Sequence, residues 1–262
     1  GNYLEFKAGR TDLDADVSYL GVTKADFNAN PYQRYAGTVH DNMDSDQTRY
    51  YLRYLKEIND TTKLTAAIFS NEFNRDWYKI SKVNGGLPTD DLYSVGTGIL
   101  GNDGNVSVLK GNSNGTIVYK HNDRTYETQG FQANLEFELG SHALDLGFRY
   151  TNDDYTYNPG YTEDTYSMST VTGLSLASSS GLKNTKSDTY MESDALEIYL
   201  LDEFSIGALT LTPGVRYTSV DYFTHGGGVY LESDGTNVHT DTSLSTTLLG
   251  IGATYELGSI IL

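Results

Sequence analysis

The side chains of this 262-residue sequence best suited to holding an anion are His121 and Arg124, three positions apart in Lys120-His121-Asn122-Asp123-Arg124, and Arg75 in Asn74-Arg75-Asp76-Trp77-Tyr78. A guanidinium offers charge-assisted donors in a fixed planar fork, and an imidazole joins it when protonated. Each has an ordinary competing role. His121 and Arg124 also suit a hydrated loop, and Arg75 beside two aromatics suits a phase boundary, its aliphatic stem covering apolar surface.

Other clusters carry less. His225, followed by three glycines, and His239 lack the further donors a transition metal needs. Asp12-Asp14-Asp16, Asp41-Asp44-Asp46, Asp90-Asp91 and Asp153-Asp154 are oxygen-rich but do not follow the twelve-position calcium loop, and read as solvated turn or lumen residues. Gly101-Asn102-Asp103-Gly104-Asn105 and Gly111-Asn112-Ser113-Asn114-Gly115 suit turns of a small loop hairpin and lack a phosphate-loop lysine. With no G-x-S-x-G or H-E-x-x-H arrangement, the sequence predicts no enzyme, no cofactor and no resident metal.

Eighteen Lys and Arg against 35 Asp and Glu give a net charge of −17, which argues against a nucleic-acid partner because phosphate neutralisation needs clustered cations. The absence of cysteine removes disulfides, thiolate metal sites and thiol nucleophiles. No run approaches the roughly 18 apolar residues of a membrane helix, but a membrane β-strand needs only about ten residues of alternating polarity.

That alternation is what positions the candidates. Phe131, Ala133, Leu135, Phe137 and Leu139 alternate with Gly130, Gln132, Asn134, Glu136 and Glu138, and beyond Gly140-Ser141-His142 the pattern resumes with Leu144, Leu146, Phe148 and Tyr150. This predicts a hairpin of two long strands with one apolar and one polar face. A second hairpin spans 194–204 and 208–222 through Ser205-Ile206-Gly207, with Pro213 requiring local relief of pairing. A third joins 48–58 to 63–73 through Asn59-Asp60-Thr61-Thr62. Residues 244–257 give another strand, and 3–9 and 13–20 two short ones, about ten in all.

Short turns alternate with long polar stretches at 21–47, 81–124, 158–193 and 223–243. In an up-and-down sheet this puts every tight turn at one end and every long loop at the other. Tyrosines such as Tyr50, Tyr54, Tyr150 and Tyr217 gather near strand ends, where amphipathic rings favour a lipid–water boundary. The expected fold is an all-β, antiparallel transmembrane barrel, with a soluble all-β binding protein as the lesser alternative. The strand pattern runs to both ends, so residues 1–262 read as one partial barrel domain, short turns periplasmic and long loops extracellular.

These strands carry a resemblance. Asp202-Glu203-Phe204-Ser205-Ile206-Gly207-Ala208-Leu209-Thr210-Leu211-Thr212-Pro213-Gly214-Val215-Arg216-Tyr217 is similar to a barrel hairpin of TonB-dependent outer-membrane receptors. Phe27-Asn28-Ala29-Asn30-Pro31-Tyr32 with Arg34-Tyr35, and Phe73-Asn74-Arg75-Asp76-Trp77-Tyr78-Lys79, resemble the ferric dicitrate receptor branch, as does His142–Tyr150 with Asp164–Met168 downstream.

The resemblance implies a central piece of a 22-stranded barrel whose plug domain lies outside this sequence. It implies a Gram-negative outer membrane with lipid and lipopolysaccharide around a monomer, and import of a ferric chelate such as ferric citrate or a siderophore, energised by TonB with ExbB and ExbD. Arg34 then joins His121, Arg124 and Arg75 as a substrate-binding candidate. The alternative to active transport is an autonomous porin-like barrel for passive diffusion.

Overall fold

The computed structural model describes residues 1–86, 104–157, 163–180, 189–231, 237–258 and 260–261. Asp90, Asp91 and the triplet Gly101-Asn102-Asp103 lie outside the described residues.

In chain order the elements are β1 (Asn2–Ala15), α1 (Lys24–Ala29), a 3-10 turn at Ala36–Thr38, β2 (Asn42–Asn59), β3 (Thr62–Val83), α2 (Gly104–Leu109), β4 (Gly115–Lys120), β5 (Asp123–Leu139), β6 (His142–Tyr157), β7 (Glu163–Ser169), β8 (Gly173–Ser180), β9 (Thr189–Ile206), β10 (Leu209–Leu231), β11 (Asn237–Leu257) and β12 (Ile260–Ile261). The long strands form one antiparallel, barrel-like wall in the order β1-β2-β3-β5-β6-β9-β10-β11, with β12 beginning a further strand. The far end of β3 branches into a second, small sheet, β4-β7-β8.

Period two sorts the wall into two faces. Phe6, Leu52, Ile68, Phe131, Tyr150 and Leu196 are successive cross-strand partners, followed one row nearer the tight turns by Leu4, Tyr54, Ala66, Ala133, Phe148, Ile198 and Tyr217. These rows are uncovered: Leu4 and Phe6 are each 65% exposed, Ile68 52% and Ile198 41%. Among the described residues no second sheet packs on them, which excludes a sandwich. The opposite face is polar and cross-linked, with Arg53 on Glu5 at 3.3 Å and Arg216 on Glu197 at 2.6 Å.

Two hairpins close through two-residue turns, Gly140-Ser141 and Gly207-Ala208. Gly140 (φ 66°) and Gly207 (φ 64°) supply the left-handed backbone at the first turn position, where the strand twist demands it and a Cβ resists it. Asp60-Thr61 joins β2 to β3, with the Asn59 side chain accepting the Thr61 amide at 3.0 Å. Pro213 behaves as its missing amide requires. The β9–β10 ladder pairs Leu211 with Phe204 and Gly214 with Leu201 and skips the two residues between, without shifting register.

Several expectations are corrected. Residues 2–15 are one strand, not two, because the polar run Arg10-Thr11-Asp12 keeps its backbone pairing to β2 after its alternation has ended. The expected loop 223–243 is mostly ladder, as β10 continues to Leu231 and β11 starts at Asn237. Gly104-Asn105 opens α2, and Gly111 follows it with φ 79°, so neither forms a hairpin turn.

The stretches at 81–124 and 158–193 also hold the small sheet. Around it lies the only extensive set of buried apolar side chains among the described residues: Leu20, Tyr35, Ile80, Val83, Val108, Leu109, Ile117, Tyr119 and Met168. The apolar core therefore sits at the long-loop end as a cap beyond the wall.

Candidate functional site

On the polar face, β3 carries Phe73, Arg75, Trp77 and Lys79 at every second position, toward its far end. The ladder sets Phe73 against Tyr126 and Arg75 against Arg124. Across the bend at His121-Asn122, Lys79 stands opposite Lys120. Two pairs of cations thus oppose each other directly in a chain of net charge −17. Like charges in direct register repel, by a few tenths to about 1 kcal/mol per pair.

Aromatics support the pairs. Phe73 stacks on Tyr126 at 5.9 Å between centroids, and Tyr126 meets Tyr155 at 5.0 Å. The Arg124 guanidinium lies 5.7 Å from the Tyr155 ring centre, and its Nε donates to Asn122 at 2.9 Å. Arg75 Nε is buried and has no hydrogen-bond partner. The Lys79 ammonium lies over both Tyr19, at 4.5 Å, and Trp77, at 4.9 Å. The surface therefore presents positive charge on rigid strands with aromatic backing, which is what an anion with flat or apolar parts requires.

His121 is not part of it. Three residues from Arg124, it takes the opposite face, its ring 4.6 Å from Tyr78 and Nδ1 bonded to Asp76. That hydrogen bond, with the carboxylate's charge, raises the His121 pKa against the opposing effect of burial.

Arg34 is committed elsewhere too. It donates to the carbonyls of Asp16 at 2.8 Å, of Asp41 at 2.9 Å and of Thr38, tying residues 16–41 into a knot. Beside it Asp41, fully buried, accepts the Ile80 amide at 3.1 Å and the Ser18 hydroxyl. Of the four candidates the structure brings together Arg75 and Arg124, and it adds Lys79 and Lys120, which the sequence reading missed. Strand parity was the available signal for Lys79, since 75, 77 and 79 share a face.

No group of three or more His, Asp or Glu among the described residues is arranged to hold a metal ion. Asp12 and Asp14 instead stand opposite Asp46 and Asp44 in the β1–β2 ladder.

The model of the TonB-dependent receptor-like β-barrel family matches residues 2–258. The chain belongs to that family. It is therefore an outer-membrane β-barrel segment of a Gram-negative bacterium. Comparison with curated proteins finds no match.

Among solved structures, the unliganded ferric citrate transporter FecA is similar at TM-score 0.59 and 21% identity over 98% of this chain and 32% of its own. The ferric-catecholate import receptor Fiu of E. coli K12 gives 0.58 and 18%, over 98% and 39%. The siderophore receptor PiuA of Acinetobacter baumannii gives 0.62 and 13%, over 97% and 38%. At these identities the likeness is one of fold. This TonB-receptor barrel chain spans between about a third and two fifths of each.

Proposed function

We propose that the chain is part of the wall of a 22-stranded, plugged TonB-dependent receptor that imports an anionic ferric chelate, with Arg75 and Arg124 holding the anion on the inner face. The observation that carries this reading is the direct opposition of those two arginines, with Lys79 and Lys120 above them, in an acidic chain. A repulsive pair persists in a ladder when something else gains from it, and a multiply charged anion bridging two guanidinium groups is the simplest gain. The iron is cargo, and nothing in the reading requires covalent chemistry.

In this reading the uncovered apolar rows meet lipid, and the carboxylates beyond them lie at the lipopolysaccharide headgroups. The short turns are periplasmic and the cap is extracellular. TonB, with ExbB and ExbD, supplies the energy through a plug outside residues 1–262, in a monomer. Of the structures similar in fold, one is a ferric citrate transporter and another a ferric-catecholate import receptor, and both chelates are anionic. The aromatic tier of Phe73, Tyr126 and Tyr155 suits a chelate with rings as well as an aliphatic one.

The test is titration of ferric citrate and of a ferric catecholate into the complete receptor in nanodiscs, with Arg75→Gln and Arg124→Gln alongside. Each substitution is expected to weaken binding of the cognate chelate by at least about tenfold. Unchanged affinity in both variants would remove the arginine pair from the site. Uptake that continues without TonB would instead support passive, porin-like diffusion.

A further inference from the structure

Asp41 is a wholly buried carboxylate whose two oxygens each meet a neutral donor, the Ile80 amide at Oδ1 and the Ser18 hydroxyl at Oδ2. The nearest guanidinium, that of Arg34, spends its donors on the Asp41 backbone carbonyl and on those of Thr38 and Asp16. Lys79 from β3, Tyr19 from the 16–22 segment and Tyr119 from β4 also act on the Asp41 charge, and the titratable ring of His40, next to Asp41 in the chain, packs on Tyr119 at 5.8 Å and on Tyr166 at 4.8 Å. Lys79 lies over the Tyr19 and Trp77 rings. The two bonds of Asp41 also join separate parts of the molecule. One reaches back to Ser18 in the first long connection, and the other reaches β3, where Tyr19 adds a bond to the Ile80 carbonyl at 2.9 Å.

We propose that Asp41 is a proton-operated latch: neutral, it holds the 16–41 connection against the far end of β3, and ionised, it loosens that attachment. A buried carboxylate without an ion-pair partner resists ionisation because its charge is poorly solvated. Burial pushes the Asp41 carboxyl up to about 6, partly opposed by the Ser18 and Ile80 hydrogen bonds and by the charges of Arg34 and Lys79. For an acid raised from 3.8 in the attached state, attachment is strongest below 3.8 and weakens as the pH rises through about 6. The latch works whatever ligand the receptor takes.

The experiment is hydrogen exchange of the complete receptor in nanodiscs, following peptides that contain residues 17–22 and 78–82, corrected for the intrinsic pH dependence of exchange. From pH 7 to pH 5 the opening equilibrium of these segments is expected to fall about tenfold in the wild type. Asp41→Asn, which keeps an acceptor for the Ile80 amide, is expected to show no such change. A wild type without pH dependence, or an Asp41→Asn protein that retains it, overturns the proposal. Asp76→Asn provides a second arm that does not depend on the Asp41 variant inserting. It removes the partner of His121 and should leave the response of residues 17–22 in place, and loss of that response would assign it to the His121–Asp76 pair and overturn the latch.

Discussion

The ring of Tyr199 on β9 lies against Gly147 on β6, so close that a Cβ built on the glycine would stand 1.9 Å from the ring edge. The pairing holds the Tyr199 hydroxyl where Asn134 donates to it at 2.8 Å, and where it can donate to Asp145 at 3.3 Å. Gly147→Ala must displace the ring and is expected to cost about 1–3 kcal/mol. Denaturant unfolding in micelles would measure it. Gly250→Ala, with no neighbour within 4 Å of the added carbon, is the neutral control.

Neutralising one member of the Arg75–Arg124 pair should separate stability from binding. Either Gln variant removes a like-charge opposition and is expected to leave the wall as stable as before, or more stable by a few tenths of a kcal/mol. A purely structural arginine would show the reverse, a less stable barrel with unchanged affinity. Melting and titration on the same samples distinguish the two.

The His121–Asp76 pair gives a pH dependence of its own. His121 is raised above its ordinary 6.5, chiefly by the Asp76 hydrogen bond, so its stabilising contribution is complete below 6.5 and is lost as the pH rises through the raised value. His121→Gln should lower the melting temperature below pH 6.5 and remove the decline that the wild type shows as the pH rises through the raised value. Profiles that superimpose would show that the pair contributes nothing.

The first connection is held from inside by a cap on α1. The Thr23 hydroxyl accepts the Asp26 amide at 3.1 Å and donates to the Asp26 carboxylate at 2.7 Å, where Lys110 and Tyr35 also converge at 2.7 Å. Thr23→Ala is expected to cost about 1 kcal/mol, seen as faster proteolysis within residues 16–41. The Lys110 hydrogen bond, ahead of those from Thr23 and Tyr35, holds the Asp26 carboxyl down to about 2. Its contribution is present above 3.8 and disappears as the pH falls toward 2, so acidification to pH 5 leaves this cap intact.

The wall was legible wherever a tight turn set the register. From Phe131 to Tyr150, alternation and Gly140 together specify both strands and their pairing. Legibility ended where the cue was non-local. β3 and β5 are partners separated in sequence by α2 and β4, so nothing local reveals that Arg75 faces Arg124. β4, with Ile117 and Tyr119, lies within the stretch expected to be loop, and its partners Lys82–Val83 and Asp164–Tyr166 lie far off along the chain. His121 parts from Arg124 because it lies in the bend between β4 and β5, where it turns to Asp76 and Tyr78 while Arg124 follows the parity of β5. Arg34 gave no sign that backbone carbonyls would absorb it, because its acceptors come from a loop whose path no periodicity describes.

The separation of apolar surface into an uncovered wall and a packed cap subjects one chain to two different tolerances for change. In the proposed reading the wall meets fluid hydrocarbon, where Leu4, Ile68 or Ile251 can exchange for another large aliphatic residue at little cost because the surroundings reshape themselves. Ile80, Ile117 and Tyr119 meet neighbours that cannot flow, so a lost methylene leaves a void there. Sequence drift should therefore be fast in letters and slow in hydropathy along the wall, and slow in letters within the cap. A directed-evolution library on this scaffold would then find its silent positions along the uncovered wall and its fragile ones in the packed cap.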